Sequence, residues 1–257
     1  MQTGLKVWAS NFNYIQSARV LSEQGFCDFL ELYVDPLVDE NKLGEWRGVS
    51  KDIRLHAPHS WGGFNPAQAS GLEQNCALLH KVEMYRSLFR PKTIIFHPGT
   101  NGSLEEAIAQ FNVFREGFPG IFQVALIENK PKVGLKGEDC VGASPDEIRQ
   151  LIDKVDFRFC LDIGHAICYA AWAGRAWQDV VKDFIKINPS AFHLSDGFTA
   201  SMHDKHLHFG RGDFDLHAIL SMFPLDASIT IETPHDHSED LDDFCDDVAF
   251  LRKVGSV

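Results

Sequence analysis

Short apolar runs alternate with longer amphipathic stretches from one end of this chain to the other. Apolar, β-branched and aromatic residues concentrate at 5–9, 29–34, 53–57, 93–96, 122–128, 157–161, 191–194 and 228–231, and each run reads as a strand. Helical spacing dominates between them. Ile15, Ala18, Val20 and Leu21 share one side of a short segment, and Leu72, Cys76, Leu79, Val82 and Tyr85 recur at three- and four-residue steps across 72–89. A helix over 103–114 opens on Ser103 with Glu106 three residues later, the spacing of a capping box. Ser144-Pro145-Asp146-Glu147 marks another start, with an N-cap, a first-turn proline and a capping glutamate in succession. Leu241, Phe244, Val248 and Leu251 line one face of a last helix over 240–252. Eight strands, each followed by a helix, predict an α/β fold, a parallel (β/α)8 TIM barrel, with 1–257 as a single domain.

Length and composition agree with that reading. Such a barrel takes about 250 residues; the chain has 257, of which 44% are hydrophobic. A formal charge of -12 argues against a broad basic face for nucleic acid. Carboxylates gathered around divalent cations would offset part of that charge. Cys27, Cys76, Cys140, Cys160, Cys168 and Cys245 form no CxxC pair and no regular spacing. They read as the reduced thiols of a cytoplasmic protein. The N-terminus lacks a charged segment followed by an apolar leader, and no apolar run approaches the roughly 20 residues of a membrane span. No membrane association and no obligate protein partner are expected.

Metal-binding residue types fall where the strands should end. His56, His97, Glu128, Asp162, His165, His193 and Glu232 close or follow apolar runs, and Asp204 and His206 come soon after the seventh run. In a parallel barrel the C-terminal strand ends converge on one mouth, where these side chains would meet. Neutral imidazole and ionised carboxylate suit zinc best, with manganese or iron as alternatives. Nine donors exceed the needs of one ion, so two or three divalent ions sharing a bridging carboxylate are expected. A cluster of that kind converts water to hydroxide near neutral pH and clamps the oxygens of an in-line displacement, which is phosphoester-hydrolysis chemistry. Each residue also has a plainer role open to it. A single strand-end histidine can be a satisfied polar group, Asp162 and His165 suit the first turn of the next helix, and Asp204 and His206 suit a solvated loop. Around them, His59 and Trp61 overhang the mouth or pack a loop. Lys130, with Lys132 and Lys136, meets phosphate or stays solvated. Arg211, between Gly210 and Gly212, is a candidate substrate contact because the glycines let the backbone approach a ligand. His235 and His237 read as loop residues.

Six short elements follow in order: Phe-His-Pro-Gly at 96–99, Ile-Glu-Asn at 127–129, Asp-x-x-His at 162–165, His-Leu-x-Asp at 193–196, Asp-x-His at 204–206 and Ile-Glu-Thr at 231–233. From the third strand onward the chain resembles the endonuclease IV group (AP endonuclease family 2) of the xylose-isomerase-like TIM barrels. The resemblance implies a first metal on His56, His97 and Glu128. It implies a second bridged by Glu128 and completed by Asp162, His193 and Glu232, and a third on His165, Asp204 and His206. The ions would be mainly zinc. Glu128 and Glu232 would be the catalytic carboxylates, Glu232 orienting or deprotonating the attacking water. In that group the reaction is cleavage of the DNA phosphodiester 5′ to an abasic site. In its DNA-repair members a Tyr-Leu pair follows the first histidine and enters the duplex. Here those places read His59-Ser60, and the loop Asp35-Pro36-Leu37-Val38-Asp39-Glu40 is acidic where those enzymes carry basic and aromatic DNA contacts. The expected function is therefore a metal-dependent hydrolase of a small phosphoester or nucleic acid, without standard abasic-site activity. The alternative is a sugar or sugar-phosphate isomerase or epimerase of the same superfamily. Such an enzyme would hold one metal on Glu128, Asp162, His193 and Glu232, with the glutamates moving a proton beside a carbonyl.

Overall fold

In a computed structural model, which describes residues 1–255, the eight strands are β1 (Gln2–Trp8), β2 (Phe29–Tyr33), β3 (Ile53–His56), β4 (Ile94–Phe96), β5 (Ala125–Glu128), β6 (Arg158–Asp162), β7 (Ala191–Leu194) and β8 (Ser228–Ile231). All pair in parallel in sequence order, and β8 closes on β1. The single-domain TIM barrel read from the hydrophobic pattern is the observed architecture. The connecting helices are α1 (Ile15–Glu23), α2 (Leu72–Phe89), α3 (Leu104–Gly117), α4 (Pro119–Phe122), α5 (Pro145–Val155), α6 (Ile163–Ala173), α7 (Trp177–Ile185), α8 (Leu216–Ser221) and α9 (Asp242–Val254). No helix among the described residues is long and apolar enough to cross a membrane, and all six cysteines are free.

The structure corrects three local expectations. The connection after β2 holds no α-helix: Glu40–Trp46 winds as 3-10 turns. Its sequence carries no long apolar stripe and is broken by Pro36, Gly44 and Gly48. Leu43 and Trp46 anchor it, both buried, the Trp46 indole N–H donating to the Ala9 carbonyl at 2.9 Å. Phe122 belongs to α4 rather than to the fifth strand, and its ring stacks on Phe96 at 5.8 Å within a cluster that includes Phe111 and Phe157. Ser103 caps α3 as expected, but Glu106 turns to Gln110 instead of closing a box; the complete capping box is the one at Ser144 and Glu147.

Because side chains alternate along a strand, every second residue enters the barrel. Ile95, Leu126, Cys160 and Ala191 form a small apolar layer of their own. Below it the Arg54 guanidinium stacks on the Phe29 ring, 3.4 Å from its centroid. Gly4 makes room for that ring: a Cβ there would lie 2.1 Å from a Phe29 carbon. Above the apolar layer, at the C-terminal strand ends, the inward positions are polar.

Gly4→Ala is expected to lower stability by about 1–3 kcal/mol, the cost of overpacking a ring held between two neighbours. A urea midpoint equal to that of the parent chain would show that the barrel floor has slack.

Candidate metal centre

Glu128, at the end of β5 and 1% exposed, is the hub of the mouth. Its Oε2 lies 3.2 Å from His56 Nε2, 3.1 Å from His97 Nε2 and 3.3 Å from His193 Nδ1, and its Oε1 lies 3.2 Å from His165 Nδ1. Four imidazoles from four different strand ends or their first following turn therefore meet one carboxylate. Their burial follows from the barrel: His56 is 1%, His97 9%, His165 4% and His193 0% exposed.

The rings are oriented by what their other nitrogen does. A carbonyl only accepts, so each ring nitrogen facing one carries the proton. Nδ1–H of His56 donates to the Ala57 carbonyl at 2.8 Å, that of His165 to Asn129 at 2.8 Å and that of His206 to Glu232 at 3.0 Å. Each Nε2 then points into the mouth at a carboxylate, that of His56 at Glu128 and those of His165 and His206 at Asp204, and would turn its lone pair to a bound ion, the arrangement by which metal-ligating histidines are held. The Nε2 of His97, the Nδ1 of His193 and the Oδ2 of Asp204 are buried without a hydrogen-bond partner. Dry atoms of that kind cost about 1–3 kcal/mol each unless something meets them. A cation would meet them, and the donor set of imidazole and carboxylate fits a divalent ion.

Two of the expected ligand sets assemble as three-donor clusters, His56 with His97 and Glu128, and His165 with Asp204 and His206. In the second, Asp204 Oδ2 is 3.4 Å from His165 Nε2 and 3.1 Å from His206 Nε2. These spacings match two donors at about 2.1 Å from a common ion. Asp204 is 5% exposed, so it is not the solvated loop residue its local sequence allowed. Asp162 fills both roles open to it only in part. Its Oδ1 accepts from the His165 amide at 2.7 Å as the N-cap of α6. Glu128, Asp162 and His165 also come together, but both carboxylates face the His165 Nδ1 that already donates to Asn129, Asp162 Oδ2 at 3.6 Å. Among the described residues, Glu128, Asp162, His193 and Glu232 do not form one donor cluster.

Two residues not singled out in the sequence explain why. Glu31, inside β2 and fully buried, accepts from His193 Nε2 at 3.1 Å and from the Thr230 hydroxyl at 2.7 Å. Lys6, from β1, pairs with Glu232 and stands 3.6 Å from Glu31. Glu31, His56, His193 and Glu232 thus make a cluster of their own. The signal was present: an ionisable residue inside the apolar run Phe-Leu-Glu-Leu-Tyr. It was missed because Glu31 lies mid-strand rather than at a strand end.

Charge follows this packing. Burial raises the carboxyl of Asp162, and Asp204, Glu232 and Glu128 add repulsion that His165 only partly offsets, leaving it at about 6. Burial works the same way at Glu128, but the imidazoles outweigh it and hold the group well below the usual range. At Glu232, His193 and Lys6 do the same. Burial drives His97 well below the usual imidazole value, and burial with the neighbouring Lys130 takes His59 down to about 3.

A cavity of about 430 Å³ opens above the clusters, within the range of about 300–1,000 Å³ typical of small-ligand clefts. His59, Trp61 and Lys130 line it together with Trp8, Tyr33 and Leu135. His59 packs into the wall, its ring stacked on His97 at 5.8 Å and near Tyr33 at 5.2 Å. Trp61 donates to Glu138 at 2.9 Å and carries the Lys136 ammonium over its ring. Among the described residues, nothing pairs with the Lys130 side chain, whereas Lys132 pairs with Asp139. Arg211 is exposed on its turn and does not line the cavity. That turn is instead held from below, the Asp196 carboxylate accepting the amides of Gly210 at 2.8 Å and Gly212 at 3.0 Å. His235, read as a loop residue, does line the cavity and bonds the Lys6 carbonyl at 2.9 Å. Cys140 lines it too, outside every donor cluster. Asn129 and Asp196 are positioning residues: Asn129 exchanges side-chain hydrogen bonds with the Asp162 backbone at 2.9 and 2.8 Å.

With this geometry in hand, the chain is similar to several solved structures. A D-tagatose 3-epimerase-like protein aligns with TM-score 0.74 and 19% identity over 99% of this chain and 97% of its own. Endonuclease IV of Thermus thermophilus aligns with TM-score 0.72 and 16% identity over 99% and 98%. The TTHB071 protein of the same organism, soaked with ZnCl2, aligns with TM-score 0.71 and 19% identity over 100% and 98%. At these identities the likeness is one of fold. Among curated proteins none matches. The family described as xylose isomerase-like TIM barrel matches residues 27–254, and the chain belongs to that family.

Proposed function

We propose that the chain is a divalent-metal-dependent phosphoester hydrolase acting on a small substrate. The observation that carries this reading is the pair of three-donor clusters, one of them built on Glu128, each with an orphaned donor atom, His97 Nε2 in one and Asp204 Oδ2 in the other. His56, His97, Asp204 and His206 have no task in a one-metal isomerase, although His193 Nδ1 does lie 3.3 Å from Glu128 and 2.7 Å from Glu232. Zinc suits the nitrogen- and oxygen-rich clusters best. Ions bound there would supply a water of lowered pKa and neutralise charge on the phosphate oxygens.

The chain's own side chains do the rest. The unpaired Lys130 ammonium meets a non-bridging phosphate oxygen as a point charge. Glu232, held by Lys6 and His193, orients the attacking water and takes its proton. Trp8, Tyr33 and Trp61 stack on the organic part of the ester and keep bulk water out. His59, uncharged at neutral pH and packed in the wall, is not a projecting side chain of the kind that enters a duplex. The cavity therefore takes a single small ester rather than a DNA backbone.

The same aromatic walls support a second reading, a sugar isomerase or epimerase, because flat rings suit the apolar face of a sugar. Asp204 separates the two. In the hydrolase, Asp204→Ala removes about one ion per chain and lowers cleavage of a small chromogenic phosphodiester on the order of 100-fold or more. Unchanged metal content together with lost sugar isomerisation would sink the hydrolase. Glu128→Gln is expected to lose metal and activity together, since cations then face each other with one carboxylate charge fewer; full metal content by elemental analysis would remove Glu128 from the centre. Duplex DNA with an abasic site is expected to be cut weakly or not at all at physiological salt, and efficient nicking in a gel assay would contradict the small-substrate reading.

A further inference from the structure

We infer that the Lys6 ammonium occupies the third cation position of this centre, so that the chain takes two divalent ions where its donors would suffice for three. The inference rests on the reading of the two flanking clusters as metal sites.

The cluster of Glu31, His56, His193 and Glu232 brings its donor atoms within 4.8 Å of one another. It has the residue types of a metal site, yet a cation is already there. Lys6 Nζ contacts Glu232 Oε1 and lies 3.6 Å from Glu31 Oε1. The side chains of Glu31 and Glu232 are only 1% and 7% exposed. Two buried carboxylates side by side need positive charge between them, and one removed partner leaves a charge uncompensated. The oxygens of Glu31 divide between the two sides of the cluster. Glu31 Oε2 accepts from His193 and Thr230. Glu31 Oε1 has no hydrogen bond and faces Lys6 alone.

Lys6 reaches this place from a strand, not from a mobile loop. It stands opposite Glu31 in the β1–β2 register, its carbonyl bonded by His235. A divalent ion entering the cluster would have to displace an ammonium whose backbone is fixed by the barrel. Among the described residues the two flanking clusters carry no lysine or arginine ion pair: His97 and His56 pair only with Glu128 among carboxylates, and Asp204 pairs only with imidazoles. They stay open to ions. The arrangement also defines Glu232. Bound to a lysine rather than shared with a metal, it is left as the water-orienting carboxylate.

Elemental analysis and calorimetric Zn2+ titration of full-length protein, parent and variant, test this without any activity assay. The parent chain is expected to saturate at two ions, Lys6→Arg at two and Lys6→Met at three. Three ions in the parent, or two in Lys6→Met, overturns the role of Lys6 while leaving the hydrolase reading in place. Fewer than two in the parent defeats the metal-centre reading itself and this inference with it. Should Lys6→Met not fold, the parent titration still decides: saturation at two upholds the inference and saturation at three rejects it.

Discussion

One buried carboxylate organises the mouth of this barrel. Glu128 lies within 3.1–3.3 Å of imidazole nitrogens from His56, His97, His165 and His193. Those rings come from the ends of β3, β4 and β7 and from the first turn after β6. Barrel closure is what lets residues so distant in sequence share one oxygen pair. The price is electrostatic: Asp162, Asp204, Glu31 and Glu232 crowd the same region, and desolvated carboxylates repel one another unless cations or donated protons lie between them. Asp162, pushed up to about 6 by burial and its acidic neighbours, registers that crowding directly.

The scaffold answers the strain with rigid supports. Ring orientation is set by backbone carbonyls at 57, 129 and 232, each held within the barrel or just beyond it. Asn129 links the ends of β5 and β6 through two hydrogen bonds. Asp196 gathers four amides, from residues 197, 210, 212 and 214, and so fixes the long loop that carries Asp204 and His206. Gly212 belongs to that clamp, because a Cβ there would lie 2.0 Å from the Gly197 carbonyl oxygen. A loop that looks solvated in sequence is thereby tied to the end of β7 at both its ends.

Lys6 and the cavity walls give this centre its own character within a shared fold. The lysine balances Glu31 and Glu232 from the β1 side, while Lys130 stands unpaired at the opposite wall. Among the described lysines and arginines, those lining the cavity are one committed ammonium and one free one. Trp8, Tyr33 and Trp61 add apolar surface above the charged floor.

The amino-acid sequence alone determined the barrel and most of its donors. Eight apolar runs separated by helical spacing leave few other folds, and a histidine or carboxylate at a strand end is visible because it breaks a hydrophobic run. The absent helix after β2 was not legible: two buried residues, Leu43 and Trp46, replace an amphipathic face, and periodicity cannot report so short a pattern. Arg211 looked reachable because its glycine neighbours are permissive, but those glycines serve the Asp196 clamp and the arginine faces solvent. Only the tertiary structure decided how the donors group. Asp162 is drawn to the α6 N-cap, while Glu31 and Lys6, 25 residues apart and paired in register, enter a cluster for which the family resemblance implied Glu128 and Asp162 beside His193 and Glu232. Strand-end position is encoded along the chain. Which side chain meets which across the mouth depends on barrel register and on the balance of buried charge, and both exist only once the barrel has closed.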